Sequence, residues 1–499
     1  MLFNSIEFAF FLPIVFIIYW AIGYARINDS LKLRIQNAFV VIASYVFYGW
    51  WDWRFLILIA FTSFCSWGSG LLIVESRESR AKSKFWMVAN VVINIGILAV
   101  FKYYDFFVSE FGELFGVSTE SLLLRVILPV GISFYTFQAL SYSIDVYRGK
   151  IKPTKDIIAF FAFISFFPQL VAGPIERATN LLPQFLNRRT FSYEQGMDGM
   201  RQILWGLFKK IVVADNCAVY VNQVWETYDT QSGSTLLLAA ILFTFQIYGD
   251  FSGYSDIAIG TAKLFGIRLM RNFNNPYFSR DIAEFWRRWH ISLTSWFRDY
   301  VYIPMGGSRP TIVESQESRA ERQETRVESG ERRVERRKKL IIVRNTFVVF
   351  LICGLWHGAN WTYLVWGLYN VLLFLPLILL GKSKRYKDAP LVWKQLPQML
   401  LTFVLVTIGW IIFRAPSMAE AWGYVCAMCS ASLFYQPATI QYPVWCAMAA
   451  IILMLSLEWH YRDAESVPLP KNIWAYYPLI IAIWWFAYRN TQEFIYFQF

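Results

Sequence analysis

The sequence predicts an all-α protein that crosses a membrane many times. Of its 499 residues, 56% are apolar and 19% are aromatic, whereas only 16% are charged. This charge is too sparse to cover the surface of a soluble protein of that length. Apolar blocks recur along nearly the whole chain, so we expect a single multi-span membrane domain over residues 1–499.

The apolar blocks are close to the length of membrane helices, which need about 20 residues to cross the hydrocarbon core of a bilayer. We predict about 11–12 membrane segments, from candidates at 6–24, 36–51, 54–74, 86–107, 123–146, 157–173, 235–262, 341–358, 361–380, 397–413, 441–458 and 473–488. Gly and Pro interrupt some blocks, notably around Pro129 and Gly173. Such breaks are tolerated where backbone is buried in protein or lines a wet cavity, which indicates re-entrant helices or a funnel.

Basic residues in the short loops predict the orientation of the chain. Lys and Arg cluster after the first predicted helix, at 26–34, and after the third, at 77–84. Such loops stay in the cytoplasm, so we expect both termini on the outer side. The first apolar block has no basic leader and is longer than a signal-peptide core, so we expect it to remain as a membrane helix.

The net charge of +12 does not indicate a nucleic-acid partner. A nucleic-acid-binding protein would gather its basic residues into one groove with interleaved aromatic side chains, whereas here they lie in loops between apolar blocks. Six cysteines are too few and too scattered for a disulfide framework. Cys426 and Cys429 have no second pair or nearby histidine, so we predict no metal site.

Residues 308–340 differ from the rest of the chain in their charge. They contain 10 Lys or Arg and 7 Asp or Glu among 33 positions, a composition that cannot be buried. We therefore predict a charged cytoplasmic insert that forms a solvated loop. The alternative is a lipid- or partner-docking element, because the basic run 336–339 adjoins the next predicted helix.

The chain has only three histidines, His290, His357 and His460, and an ionisable residue inside a membrane helix is a functional candidate by default. His357 lies in CGLWHGANW, 18 residues after Lys339, which places it roughly 27 Å along an upright helix. A neutral imidazole there could act as a general base; the alternative is a structural histidine bonded to a neighbouring helix. Cys353 lies one turn earlier on the same face, so a histidine-activated cysteine nucleophile is also open, although buried cysteine is commonly an apolar filler.

His290 lies in a segment that mixes aromatic and basic residues, RDIAEFWRRWHISLTSWFRDYVYIP. This pattern predicts an interfacial amphipathic helix over about 280–298. One interpretation is an anchor in the headgroup layer. The other is that Arg287 and Arg288 bind the phosphates of an anionic donor at the cytoplasmic face, with His290 nearer the reaction centre.

A third cluster lies at 245–260, FQIYGDFSGYSDIAIG. Asp250 and Asp256 on such an apolar stretch need partners, for example an arginine of the 280–298 helix. Each polar residue taken singly fits a structural network around a broken helix. Together they indicate a wet cavity.

Six segments of the chain form a set of motifs in a fixed order. They are LPVGISFYTFQALSYSIDVYRG (128–149), FFPQLVAGPIER (166–177), QIYGDFSGYSDIAIG (246–260), NFNNPYFSRDIAEFWRRWHISLTSWFRDYVYIPMGG (272–307), LWHGANWTYLVWG (355–367) and the terminal FIYFQF. Together they resemble the membrane-bound O-acyltransferase family, and most closely its bacterial alginate O-acetyltransferase branch. The resemblance covers nearly the whole chain. The insert at 308–340 departs from it, being longer and more charged than the family pattern.

The resemblance implies a ring of tilted helices around a central funnel, in a bacterial inner membrane and with periplasmic termini. It implies that His357 is the catalytic histidine and His290 the second histidine of the family. Acetyl-CoA would be the cytoplasmic donor and a cell-envelope polysaccharide the acceptor, with a periplasmic SGNH-type acetyltransferase completing the transfer. Asn360 or a backbone N–H would steady the oxyanion, and no metal is implied.

The residues leave other functions open. An alginate-type exopolysaccharide is the expected acceptor, and peptidoglycan is the alternative. A proton-coupled transporter or flippase would use His357, Asp250 and Asp256 as a proton relay, but it does not account for the six motifs. A non-catalytic scaffold of a secretion complex ranks last.

Overall fold

The computed structural model describes residues 1–171, 173–307, 327–387, 389–438, 440–464, 467–487, 492, 494 and 495, with the backbone alone for 327–334. Every regular element in these residues is helical, which confirms the predicted all-α class. The contacts divide the chain into two compact units. The first is Met1–Asn272 with Ser430–Phe499, and the second is Phe273–Cys429.

The first unit begins with twelve helices: α1 Ile6–Tyr24, α2 Asp29–Asp52, α3 Phe55–Glu75, α4 Arg80–Lys102, α5 Tyr104–Phe115, α6 Ile132–Tyr147, α7 Ile157–Ser165, α8 Phe167–Leu170, α9 Ala178–Leu186, α10 Tyr193–Leu207, α11 Asp215–Glu226 and α12 Gly233–Leu264. The second unit contains α13 Ile282–Arg288, α14 Ile291–Phe297, α15 Val327–His357, α16 Trp361–Leu379, α17 Leu396–Arg414 and α18 Met418–Met428. The chain then returns to the first unit as α19 Tyr442–His460 and α20 Tyr476–Phe486.

Polar side chains at the helix starts explain why many helices begin where they do. The Ser5 hydroxyl accepts a hydrogen bond from the Phe8 N–H at the start of α1. The Asp156 carboxylate accepts from Ile158 and Ala159 at the start of α7. Such caps satisfy backbone donors that have no partner within the helix.

Among the described residues, eight helices are long and apolar enough to cross a membrane. They are Ile6–Tyr24, Phe55–Glu75, Arg80–Lys102, Gly233–Leu264, Glu335–His357, Trp361–Leu379, Trp393–Arg414 and Tyr442–His460. The protein is therefore a multi-pass membrane protein. The total of 11–12 segments and the single domain stay predictions.

Two predicted segments are shorter than expected because the backbone breaks inside them. The helix expected from residue 123 begins only at Ile132, after Gly131 with φ of +74°. A Cβ at Gly131 would also overlap the carbonyl of Leu170, so both conformation and space require glycine there. The block 157–173 divides into α7 and α8 at Phe166. These breaks agree with the irregular backbone that its Gly and Pro content predicted.

Helix α12 is the most buried candidate span, with 83% of its apolar window inside the protein. Glycines bring it close to α10. A Cβ added at Gly206 would lie 2.5 Å from the Gly253 carbonyl oxygen, and one added at Gly260 would lie 2.5 Å from that of Gly199. Small residues that let helix backbones approach closely are a common packing device in membranes.

We expect Gly206→Ala to lower the free energy of unfolding by about 1–3 kcal/mol, because the new methyl group would force α10 and α12 apart. Thermal unfolding of the purified protein in detergent measures this. Gly68→Ala in α3 is the matched control, since a Cβ there meets nothing within 4 Å. Equal thermal stability of the two variants would contradict the close contact.

Residues 308–326 of the predicted charged insert, 308–340, lie outside the residues that the structure describes. From Val327 the backbone is helical and continues into the candidate span Glu335–His357. Lys339 pairs with Glu335 at 3.0 Å, one turn away, and such pairs support a solvated helix. The last part of the insert, from Val327, is therefore the first part of α15, and the lipid- or partner-docking role of the insert stays a prediction.

Candidate active site

His357 is the last residue of α15, in the second unit, and only 6% of it is exposed. Residues 358–360, which follow His357 in the WHGAN motif, reverse the chain into α16. Asn360 begins α16, because its Oδ1 accepts a hydrogen bond from the Thr362 N–H at 2.9 Å. A Cβ at Gly367 of α16 would lie 2.5 Å from the Phe350 carbonyl oxygen of α15. Close packing of the two helices thus fixes the position of the histidine.

Aromatic rings surround the His357 imidazole. Their centroids lie 4.9 Å away for Trp356, 5.2 Å for Trp366 and 5.1 Å for Phe413, each nearly perpendicular to the imidazole. These rings come from α15, α16 and α17. Such surroundings limit competition from water, so a hydrogen bond between the imidazole and a substrate would be strengthened.

His290 joins the same aromatic cluster from a different part of the chain. It is 1% exposed, and its ring lies 5.9 Å from Trp356 and 6.4 Å from Phe273. The Trp356 indole therefore contacts both histidines. Burial lowers the pKa of His290, which lies outside the candidate spans, to about 3. His290 is thus neutral at ordinary pH.

The continuous amphipathic helix predicted over 280–298 is wrong. The segment forms two seven-residue helices, α13 and α14, which are separated at His290 by a left-handed conformation with φ of +43°. Its aromatic side chains are buried within the second unit. The Trp286 indole donates to the Asn370 side chain at 3.0 Å, and Trp289 packs 5.0 Å from Trp410. Packing inside the protein, which the sequence pattern does not distinguish from packing against lipid headgroups, explains this difference.

The two arginines predicted to bind phosphates have different surroundings. Arg288 Nη2 lies 2.9 Å from the Glu284 carboxylate, which Arg280 also contacts at 2.8 Å. Arg287 donates from Nη1 to the Ser383 carbonyl at 2.9 Å. Its Nη2 is buried with no hydrogen-bond partner among the described residues. Arg287 thus keeps an open donor beside the exposed basic loop 382–387, whereas Arg288 is held by an internal carboxylate.

Two further candidate site residues, Asn360 and Cys353, lie close to His357 in the sequence. The Asn360 amide, predicted to steady an oxyanion, donates to the Pro416 carbonyl at 2.9 Å and also caps α16. Cys353 is 5% exposed, one turn before His357 on α15, and it is not in a disulfide. Both roles stay predictions.

A small cavity with room for about one water molecule lies between α13, α16 and α17 in the second unit. Its lining includes Trp286, Trp366, Tyr369, Gly409 and Trp410. Trp366 also contacts His357, so the cavity adjoins the aromatic wall of the candidate base. No sequence pattern predicted this cavity. The only signal for it was the placement of Gly409 and several aromatic residues on two neighbouring apolar blocks.

The partners predicted for Asp250 and Asp256 were wrong. Lysines of the first unit pair with them. Lys210 lies 2.8 Å from both Asp250 and Asp215, and Lys209 pairs with Asp256. Both lysines belong to a π-helical segment, Phe208–Ala214. Its sequence, FKKIVVA, contained the signal, because two lysines within an apolar run need buried anions.

The C-terminal residues contact this charged cluster. The Ile495 N–H donates to the second oxygen of Asp250 at 2.6 Å, and Lys210 donates to the Gln492 carbonyl at 3.1 Å. Phe494 is 1% exposed and packs 4.5 Å from the Tyr254 ring. The cluster and Tyr254 therefore attach Gln492, Phe494 and Ile495 to the first unit, which indicates a structural function.

Comparison with known proteins gives one family model and several relatives. The model for MBOAT, the membrane-bound O-acyltransferase family, matches residues 151–315. A protein of Pseudomonas aeruginosa named "probable alginate O-acetylase" is 38% identical over 434 residues, which cover 86% of this chain and 75% of the relative. A protein of the same name from Azotobacter vinelandii is 36% identical and covers 86% and 78%. A peptidoglycan O-acetyltransferase of Helicobacter pylori is 33% identical and covers 84% and 78%.

Proposed function

Because the chain belongs to the membrane-bound O-acyltransferase family, and so is a membrane acyltransferase, we propose that it transfers an acetyl group from cytoplasmic acetyl-CoA. The acetyl group crosses the inner membrane toward a hydroxyl of a cell-envelope polysaccharide. The observation that carries this proposal is the meeting of His357 and His290, 67 residues apart in the sequence, around the single Trp356 indole. His357 is the general base and His290 a second site residue.

The relatives support the chemistry of the transferred group and of the acceptor. The proteins that are 36–38% identical are named for alginate O-acetylation, so an alginate-type exopolysaccharide is the first candidate acceptor. The Helicobacter pylori relative is named for peptidoglycan, which supports peptidoglycan as the second candidate. Both polymers present sugar hydroxyls, so the same membrane chemistry serves either one.

In the proposed reaction, His357 accepts the proton of the acceptor hydroxyl as its oxygen attacks the thioester carbonyl carbon. The carbonyl electron pair moves onto oxygen, and a nearby donor such as Asn360 or a backbone N–H stabilises that charge. The pair returns, the C–S bond breaks, and the leaving CoA thiolate takes the proton from His357. The products are an acetyl ester and free CoA, and no metal is needed.

The donor and the partners follow from this proposal. Arg287, with Arg288 beside it, binds the CoA phosphates at the cytoplasmic face. A periplasmic SGNH-type acetyltransferase takes the acetyl group onward, and both termini are periplasmic. The predicted ring of tilted helices around a funnel would connect the two faces.

Purified protein in detergent should release free CoA thiol from acetyl-CoA when an acceptor alcohol is supplied. No ion gradient exists in detergent, so a proton-coupled transporter or flippase would consume no thioester. Absence of thiol release by intact protein, over a range of acceptor alcohols, would reject the acyltransfer proposal in favour of transport or a scaffold.

Arg287→Ala should raise the KM for acetyl-CoA about 10- to 100-fold with little change in kcat, because one charge-assisted hydrogen bond to phosphate is worth about 1.5–3 kcal/mol. The KM for S-acetylpantetheine, which lacks the nucleotide phosphates, should stay the same. Steady-state kinetics with both donors measure this. Arg188→Ala, which removes an exposed positive charge paired with Asp29, is the control. Equal effects of Arg287→Ala on both donors would show that Arg287 does not read phosphate.

A further inference from the structure

Helix α5, Tyr104–Phe115, follows a candidate membrane span almost directly. The span Arg80–Lys102 is 23 residues long, which corresponds to about 34 Å of helix. This length is enough to cross a hydrocarbon core of about 30 Å. Tyr103, with φ of −121°, interrupts the helix before α5 begins. The start of α5 therefore lies close to the surface of the bilayer.

One side of α5 is apolar and exposed. At about 100° of rotation per residue, six of its side chains fall within an arc of roughly 120°, the pattern of an amphipathic helix. They are Tyr104, Phe107, Val108, Phe111, Leu114 and Phe115. Phe111 is 58% exposed, Leu114 74% and Phe115 69%. A continuous stripe of exposed apolar side chains needs a cover other than water.

The opposite side of α5 is polar and is exposed as well. Ser109 and Glu113 lie there, roughly across the helix axis from Phe111 and Phe115. A helix inside the hydrocarbon core would place the Glu113 carboxylate among lipid tails at a high cost in free energy. A helix in water would leave the apolar stripe hydrated. A helix that lies in the plane of the interface satisfies both sides.

The chain after α5 returns to the start of this helix. The Asp105 carboxylate accepts hydrogen bonds from the Leu124 N–H at 2.8 Å and the Arg125 N–H at 2.9 Å. Gly112 packs against the returning chain, because a Cβ there would lie 2.5 Å from the Thr119 side chain. The returning chain also exposes apolar side chains, at Val117, Leu122, Leu124, Val126 and Ile127. The segment is therefore folded on itself, with exposed apolar side chains in both halves.

We propose that residues 104–127 form an interfacial element that binds the lipid surface, with the apolar side of α5 among the acyl chains beside the headgroups and Glu113 in water. Lipid is the occupant of the apolar side because the single residue Tyr103 joins α5 to a membrane span. The charged residues of α5 are Asp105, Glu110 and Glu113. Since all three are acidic, the contact is apolar and does not need anionic headgroups.

The interfacial element leads directly into α6. The Val130 carbonyl accepts a hydrogen bond from the Tyr48 hydroxyl at 2.7 Å, and Gly131 then begins α6. Nearly all of α6 is buried inside the protein. Lipid contact by residues 104–127 thus holds the entry to a buried helix at the level of the membrane surface. This contact would exist whatever group the protein transfers.

Photo-crosslinking of the purified protein in phosphatidylcholine nanodiscs tests the inference. The photoreactive amino acid p-benzoylphenylalanine replaces Phe111, Leu114 or Glu113, one position per variant. These side chains are exposed, so the replacements leave the core intact. After irradiation, mass spectrometry should show an adduct of one lipid molecule at Phe111 and Leu114. We expect about tenfold less of this adduct at Glu113, because that side faces water.

Two controls make the result decisive. Val92 is 62% exposed within the span Arg80–Lys102, so the same replacement there should give the lipid adduct in full. Replacing a third of the phosphatidylcholine by phosphatidylglycerol, about 30%, should leave the yields at Phe111 and Leu114 unchanged, because the contact is apolar.

Four outcomes would overturn the inference. The first is an adduct at Val92 with none at Phe111 and Leu114, which would place the apolar side of α5 in water. The second is equal yield at Phe111, Leu114 and Glu113, which would place α5 inside the hydrocarbon core. A crosslink between two copies of the chain in place of the lipid adduct is the third, and a requirement for phosphatidylglycerol is the fourth.

Discussion

His357→Ala should reduce thiol release from acetyl-CoA by about 10²–10⁴-fold, the usual contribution of a general base. The imidazole is the group proposed to take the acceptor proton, and its nearest rings, Trp356, Trp366 and Phe413, cannot accept a proton in its place. Membrane insertion and the elution volume in detergent should stay those of the wild type. Alanine at a 6% exposed position also leaves a small cavity, so thermal stability is measured beside activity.

The chain supplies its own control for this variant. His460 is exposed at the end of α19, so His460→Ala should leave thiol release unchanged. His290→Ala should lower activity, because His290 belongs to the same aromatic cluster. If folded His357→Ala still transfers acetyl at near wild-type rate, the base must be sought elsewhere.

Cys353→Ala distinguishes the covalent alternative. Full activity would remove the cysteine nucleophile, whereas its loss with retained folding would support an acyl-enzyme. The wild-type protein is then mixed with acetyl-CoA, and the reaction is quenched. Mass spectrometry of the quenched protein shows whether an acetyl group is attached to it.

Lys210→Met should destabilise the protein by about 3–5 kcal/mol, because it leaves Asp215 and Asp250 buried without their cation. Lys210 is 2.8 Å from each carboxylate, and all three side chains are at most 3% exposed. The lysine also holds the Gln492 carbonyl, so the C-terminal residues should detach with it. Thermal unfolding and limited proteolysis of the C-terminus measure the two effects.

Two further variants serve as controls for Lys210→Met. Lys210→Met combined with Asp215→Asn and Asp250→Asn removes all three charges, and it should recover part of the lost stability. Lys339→Met breaks only the solvated pair with Glu335 and should cost less than about 1 kcal/mol. A single Lys210→Met variant as stable as Lys339→Met would mean that the carboxylates are not charged in the folded protein.

Much of the fold could be predicted from local pattern. Apolar length and loop charge indicate membrane helices whatever their neighbours, because a backbone in lipid must satisfy its own hydrogen bonds. The candidate spans at 6–24 and 361–379 lie within one residue of prediction. The break at His290 could not be predicted, since the aromatic and basic pattern of 280–298 fits one continuous helix. Packing of Trp286 and Trp289 inside the second unit, with His290 in a left-handed conformation, produced two short helices.

Only part of the candidate site could likewise be predicted from the sequence. His357 and His290 were predicted as site residues from their motifs, and the candidate spans 341–358 and 361–380 already placed a break just after His357. Sequence spacing did not reveal that one indole, Trp356, contacts both histidines, or that Trp410 lines a cavity beside them. Trp356 and His290 are 66 positions apart, and only packing determines such distances.

The sequence by itself determined that this chain is a multi-span helical membrane protein of the acyltransferase family, because apolar length and motif identity are properties of the chain alone. The tertiary structure decided the partners of the buried charges. Asp250 and Asp256 required cations because burial of an unpaired carboxylate is costly, yet the choice of Lys210 and Lys209 over an arginine depended on which helices pack together. It likewise decided that Arg288 is neutralised by Glu284, while Arg287 keeps a donor open.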